Sequence, residues 1–229
     1  MDKKIIVAID GPAGAGKSTV ARMVAGRLGC VYIDTGAMYR AVALLAVRNA
    51  VDLEHGEQLE RLAREAVIEF SPGNSAVFLN GEDVTGLIRD PQISAVASRV
   101  SANPGVRRAL VAAQRQMGAK ESVVMEGRDI GTVVFPEATV KIFLDADNGE
   151  RARRRTEELK AKGGVVDAEA VAREIAERDQ RDRSRPESPM AQAPDAIYLD
   201  STGLTPEQVA EKVLGIVRER TSNGKERTH

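Results

Sequence analysis

Hydrophobic positions along the chain fall into short unbroken runs separated by longer periodic stretches. Residues 4–10, 31–34, 123–126, 140–145 and 196–200 are apolar and rich in β-branched side chains. Runs of this length without polar alternation suit strands buried on both faces, as in a parallel sheet. Segments 17–28, 37–49, 104–119 and 206–220 carry helix-compatible patterns between them. The alternation predicts an α/β layered fold with right-handed crossovers. In such a fold, functional groups gather at the carboxyl edge of the sheet.

Two stretches break the pattern. Segments 66–70 and 76–79, joined through Ser71-Pro72-Gly73-Asn74, predict a small antiparallel insertion with a turn at the Pro-Gly-Asn cluster. Residues 150–185 are dense in Arg, Lys, Glu and Asp and predict two polar helices around Gly163-Gly164. That hairpin reads either as a mobile lid or as a solvated, salt-bridged surface element. The polar segment 222–229 is expected to be a disordered tail.

Composition narrows the class more than the chemistry. A hydrophobic content of 42% and a charged content of 29% over 229 residues describe a globular chain able to bury one large core. A formal net charge of -1 argues against a dedicated nucleic-acid binder. Cys30 stands alone, which rules out an internal disulfide and points to a reducing cytoplasm. The N-terminal apolar run is too short for a membrane span.

The densest signal is Gly11-Pro12-Ala13-Gly14-Ala15-Gly16-Lys17-Ser18, directly after the first strand run and before a helical segment opening at Thr19. Strand, G-x-x-x-x-G-K-[ST] and helix in that order constitute a phosphate-binding P-loop. Glycines allow successive N–H groups to converge on phosphate oxygens, and the helix N-terminus adds its unpaired donors. Lys17 is placed to reach the β- and γ-phosphates of a nucleoside triphosphate, and the Ser18 hydroxyl to ligate Mg²⁺.

Three further clusters carry charge at strand ends or on one helix face. Asp34-Thr35-Gly36-Ala37-Met38-Tyr39-Arg40 follows the second strand; Thr35 reads as a helix N-cap or, with Arg40, as a ligand for a phosphorylated or sugar-bearing acceptor. Glu126-Gly127-Arg128-Asp129-Ile130-Gly131-Thr132 follows the third strand. Its glycines imply close backbone approach to a ligand, with an ordinary loop ion pair as the plain alternative. Arg178, Asp182 and Arg185 recur at i, i+4 and i+7, so they share one helical face able to bind phosphate and sugar hydroxyls. Arg151, Arg154 and Arg155 form a similar stripe that could close over the phosphates of ATP.

Zinc-protease, Cys/His metal and G-x-S-x-G patterns are missing, and His55 and His229 lie outside every cluster. A triphosphate site ringed by arginines is the equipment of phosphoryl transfer. A kinase of another small acceptor stays open, as does a nucleotide-dependent switch. The switch is disfavoured by the lack of an N-K-x-D motif, and a nucleic-acid-stimulated ATPase by the overall charge.

The motifs at 11–19, 34–40, 126–136, 141–146 and 177–185, in that order, resemble the bacterial cytidylate kinase family from residue 3 to about 220. Glu126 stands where other members have Asp, and Ser18 where some have Gly. The resemblance implies a three-layer P-loop nucleoside monophosphate kinase fold: a five-stranded parallel sheet, a small antiparallel monophosphate-binding insertion and a short helical lid. A single domain over 1–221 is expected, with the insertion at about 63–98 and the lid at about 150–185. It implies ATP and Mg²⁺ as cofactors and CMP or dCMP as acceptor, with neither nucleic acid nor membrane as partner; a cytoplasmic monomer is expected. By the same resemblance Arg40 and Arg128 bind the acceptor phosphate, and Thr35 lies near the acceptor sugar. Ser98, Arg107, Asp129 and Arg185 line the cytosine pocket, and Arg178 and Asp182 contact the sugar.

Overall fold

The computed structural model describes residues 4–71, 76–161, 163 and 165–226. In chain order, β1 (Ile6–Asp10) leads through the glycine-rich loop into α1 (Lys17–Leu28), β2 (Val31–Asp34), α2 (Thr35–Arg48) and α3 (Gly56–Glu65). A three-stranded antiparallel sheet follows, made of β3 (Ile68–Phe70), β4 (Val77–Leu79) and β5 (Glu82–Asp83). A 3-10 turn at Leu87–Arg89 then opens into α4 (Pro91–Val100) and α5 (Pro104–Lys120). The chain returns as β6 (Val123–Gly127), a π-helical turn at Ile130–Val134, β7 (Val140–Asp145), α6 (Asn148–Ala161), α7 (Ala168–Ser184), β8 (Ile197–Asp200) and α8 (Pro206–Glu226).

The five apolar runs pair, all parallel, in the order β2-β6-β1-β7-β8. Alternate residues of β1 and β7 explain the layers. Val7, Ile9, Ile142 and Leu144 pack on one side with α1 and α8 through Val20, Val24 and Val213. Ala8, Ile33 and Met125 pack on the other with α2 and α5 through Met38, Val42 and Leu110. Leu144 is fully buried, and emptying such a position to alanine costs about 2–5 kcal/mol.

Strand order sets the site. β6 lies between β1 and β2, and β7 lies on the far side of β1. The loops after β1, β2 and β6 therefore meet at one carboxyl edge, where the order changes direction.

Local capping corrects one expectation. Asp34, not Thr35, caps α2: its Oδ1 accepts the Ala37 N–H at 2.9 Å. Thr35 is the first helical residue, and its hydroxyl donates to the Glu126 carbonyl at 2.7 Å. At the other end of the chain α8 runs on to Glu226, past the domain end expected at 221, with Thr221 Oγ1 donating to Val217 O at 2.8 Å. The rest of the expected tail, 227–229, lies outside the described residues, as do most of the expected 71–74 turn and Gly164.

Candidate active site

The glycine-rich loop is held open by its surroundings. Lys17 Nζ donates to the Pro12 carbonyl at 2.6 Å, Arg151 Nη1 to that of Ala13 at 2.9 Å, and Ser201 Oγ to that of Ala15 at 3.2 Å. With these carbonyls engaged on the protein side, residues 13–20 form one wall of a cleft of about 1510 Å³. α1 starts at Lys17 without a side-chain cap, so its first-turn N–H groups are available to an anion. Gly11, at φ +145°, passes so close to β7 that an added Cβ would sit 2.0 Å from the Leu144 carbonyl oxygen.

Four cations converge beyond the loop. Burial, then the Arg128 and Arg178 guanidiniums, push the Lys17 ammonium down to about 7. Burial and the neighbouring Arg128 and Arg40 lower Arg178 to about 10. Arg40 is paired with Asp34 at 2.9 Å, and its buried Nε has no partner. Arg128 Nε donates to Asp182 Oδ2 at 2.9 Å. Despite burial, Arg128, Arg178 and Arg185 hold the Asp182 carboxyl below its ordinary value. Cations that depress one another's charge in this way form a site short of negative charge, which phosphate supplies.

A second pocket opens off the same cleft. Asp129 is buried and paired with Arg107, which is 2% exposed; Arg185 Nη2 lies 3.7 Å from the other Asp129 oxygen. The Arg107 guanidinium carbon stands 5.4 Å from the centre of the Tyr39 ring. Burial pushes the Tyr39 hydroxyl up to about 12. Arg185 Nη1 reaches Asp182 at 3.2 Å and its Nε reaches the Ser188 carbonyl at 2.6 Å, while Nη2 is a buried donor with no hydrogen-bond acceptor.

Two expected site residues stand elsewhere. Ser94, Ala97 and Ser101 form the cleft wall near α4, whereas Ser98 does not reach it. Ser98 nevertheless shares their side of the helix, seven residues after Pro91, four after Ser94 and three before Ser101. Arg151 is also off the wall. It is 4% exposed, and its guanidinium is consumed by Ala13, Asp179 and Asn148 beneath the loop. Its position in the first turn of α6 points it at the junction with α7 rather than at the cleft.

Arg154 and Arg155 do line the cleft, with Gly203, Leu204 and Thr205 of the β8–α8 loop. Arg154 is fixed by Ser201 O at 2.7 Å and Glu150 Oε1 at 2.8 Å. The hydrogen bonds of Arg153 and Arg154 hold the Glu150 carboxyl at about 2. Ion pairs such as Arg153–Glu157 and Arg155–Glu158 run along the hairpin, and their residues also line the cleft.

Residues with no assigned role in the sequence reading complete the site. Glu126, one residue before the end of β6, lies beside Ser18 and Lys17. Burial and Asp34 push its carboxyl up, while Lys17 and the Ser18 and Tyr32 hydroxyls oppose the shift. Tyr32 Oη donates to Glu126 Oε1 at 2.5 Å. Asp10 accepts the N–H groups of Ile130 and Gly131, which holds the Arg128-Asp129 turn against β1. The signal of the two carboxylates was positional: each stands at or one residue before the end of a strand, next to a glycine. Among the described residues no cluster of three His, Cys, Asp or Glu side chains is placed to hold a metal by itself. Ser18 with Glu126 suits Mg²⁺, which takes few protein ligands and keeps phosphate and water.

The comparisons with known proteins agree with this geometry. The family model for cytidylate kinase matches residues 7–219. A cytidylate kinase of Solibacter usitatus is 57% identical over 226 residues, covering 98% of this chain and 97% of its own. One of Carboxydothermus hydrogenoformans is 53% identical, covering 92% and 96%. Among solved structures, a gluconokinase of Sinorhizobium meliloti aligns over 99% of this chain and 100% of its own with a TM-score of 0.52 at 13% identity, a likeness of fold alone. A family match across nearly the whole chain, joined to relatives identical at more than half of their aligned positions, places this chain in the cytidylate kinase family.

Proposed function

We propose that this chain transfers the γ-phosphoryl group of ATP to the 5′-phosphate of CMP or dCMP, giving ADP and CDP or dCDP. The observation that carries the reading is the Asp129 pocket at the end of the cation-lined cleft. A carboxylate acceptor there stands beside the guanidinium donors of Arg107 and Arg185. Cytosine presents a 4-amino donor next to the N3 and O2 acceptors, the complement of that order. Uracil presents a carbonyl and an N3–H in the first two places, and so opposes like with like.

Lys17 and the loop amides hold the donor phosphates, and Arg40 and Arg128 hold the acceptor phosphate opposite them. An acceptor phosphate oxygen forms a bond to the γ-phosphorus as the bond to the β–γ bridging oxygen breaks, and ADP leaves. The attacking phosphate has a second pKa of about 6, so at neutral pH it needs no general base. Catalysis then rests on in-line positioning and charge stabilisation. Arg154 and Arg155 on the hairpin cover the donor side, and the insertion closes the acceptor side, so that water is kept from the γ-phosphorus. Mg²⁺, held through Ser18 with Glu126 behind it, supplies further neutralisation of phosphate charge when bound.

The enzyme in this reading is a cytoplasmic monomer acting on small nucleotides, built as one domain that keeps α8 through Glu226. A coupled ADP-release assay with MgATP and a panel of CMP, dCMP, UMP, AMP, GMP and shikimate tests it. Turnover confined to CMP and dCMP is expected. Nucleotide binding with no turnover on any acceptor would return the chain to the switch class.

A further inference from the structure

We infer that Arg151 and Asp179 form a positioning pair that sets the shape of the glycine-rich loop from behind, joining it to both helices of the charged hairpin. A single loop residue is gripped at both of its backbone polar groups. Ala13 N–H donates to Asp179 Oδ1 at 3.1 Å, and Ala13 C=O accepts from Arg151 Nη1 at 2.9 Å. The same Nη1 donates to Asp179 Oδ2 at 2.5 Å, which closes the ring of contacts. Both side chains are buried, at 4% and 2% exposure. Arg151 comes from α6 and Asp179 from α7, so the grip spans the two arms of the hairpin.

Two consequences follow. The Ala13 N–H is withdrawn from anion binding, which leaves the donors from Gly14 onward to define where the triphosphate sits. There is also no slack in the joint: at Gly14, φ +77°, an added Cβ would lie 2.9 Å from the Arg151 carbonyl oxygen. Movement of the α6–α7 base must therefore carry the Ala13 peptide with it. Neither residue touches the cleft, so their effect on substrate runs through the loop. The inference rests on the reading that this loop holds ATP, and it leaves the acceptor pocket untouched.

The test is steady-state kinetics of Asp179→Asn, isosteric but without the charge, with KM measured separately for ATP and CMP. The expected result is a rise in KM for ATP of about tenfold or more, in line with the cost of a small misplacement, with KM for CMP within about twofold. Adding Arg151→Lys should cost little more, because the two act as one unit. An ATP KM within about twofold of the parent, or equal rises in both KM values, would overturn the inference. Should the variants not fold, amide exchange in the unmodified protein decides. The Ala13 N–H must exchange more slowly than those of residues 14–16 before nucleotide is added and change little afterwards. Equal exchange rates would overturn the pair. Binding of a non-hydrolysable ATP analogue gives the same readout without CMP, so failure of the CMP reading and failure of the pair remain separate results.

Discussion

Asp10 and Gly131 meet across the sheet edge at 2.7 Å, the carboxylate that ends β1 accepting the N–H of a turn that begins after β6. Ile130 donates to the other oxygen at 2.8 Å. The residue before the phosphate loop thus holds the residues after Arg128 and Asp129, and one carboxylate sets donor and acceptor halves in register. Asp10→Ala should leave two buried N–H groups without acceptors, at about 1–3 kcal/mol each. The same change should raise KM for CMP, as measured beside a urea melt.

The pH response of Asp10 has a definite sign. Burial, the largest influence, lifts its carboxyl from an ordinary 3.8 to about 6, although both backbone N–H groups oppose the shift. Between those values the folded protein binds more protons than the unfolded one, so this group's contribution to stability falls as pH rises from about 4 to about 6. Asp10→Asn should remove that slope. Urea midpoints of the two proteins across the window are the measurement, and parallel curves would refute the assignment.

Lys17 makes the opposite kind of prediction. Its ammonium, held near 7 by burial and the facing arginines, regains its ordinary affinity for a proton when phosphates arrive. Nucleotide binding at about pH 8 should therefore take up a proton, and binding at about pH 6 should not recruit one through this group. Calorimetry in buffers of different ionisation enthalpy reads the difference. Lys17→Met should abolish the uptake and lower kcat by about 10²–10³.

Base selection should follow Asp129. In Asp129→Asn the acceptor facing the 4-amino position becomes a group that can also donate, and the partner of buried Arg107 loses its charge. CMP turnover should fall by about 10²-fold or more in kcat/KM while UMP changes less. Competition between the two substrates in one reaction measures the ratio, and an unchanged preference would take Asp129 out of base recognition.

Gly11→Ala tests the closeness of β1 and β7. A methyl group 2.0 Å from the Leu144 carbonyl oxygen cannot be accommodated by a side-chain rotation. The strand edge must move, so a lower melting temperature and weaker ATP binding should appear together. Loss of ATP binding alone would mean that the loop, not the sheet, absorbs the methyl group.

The inner strands β1, β6 and β7 were legible because they are buried on both faces and need unbroken apolar runs, whereas β8 at the sheet edge leaves Tyr198 exposed. The glycine-rich loop was legible because phosphate binding constrains both residue type and spacing. Shorter signals went unread. Asn80-Gly81, with φ of 52° and 82°, makes the tight turn between β4 and β5, a dipeptide that announces a hairpin. Asp90-Pro91 is an N-cap and first helical residue, yet α4 buries only three residues and its period is faint. Arg151 misled because a stripe of arginines shows which residues share a face, not which neighbour that face meets. Asp179 sat unread between Arg178 and Asp182, where alternating charge hides which carboxylates turn inward.

Three of the arginines lining the cleft already have a tenant. Asp34 occupies Arg40, Asp182 occupies Arg128, and Asp129 occupies Arg107. A free phosphate or sulfate ion that engages one of these three arginines must displace an internal carboxylate for a single charge contact in return. A nucleotide brings base, sugar and phosphate at once and can renegotiate all three. At these three arginines the resident carboxylates thus favour a ligand that makes many contacts over a small anion that makes one.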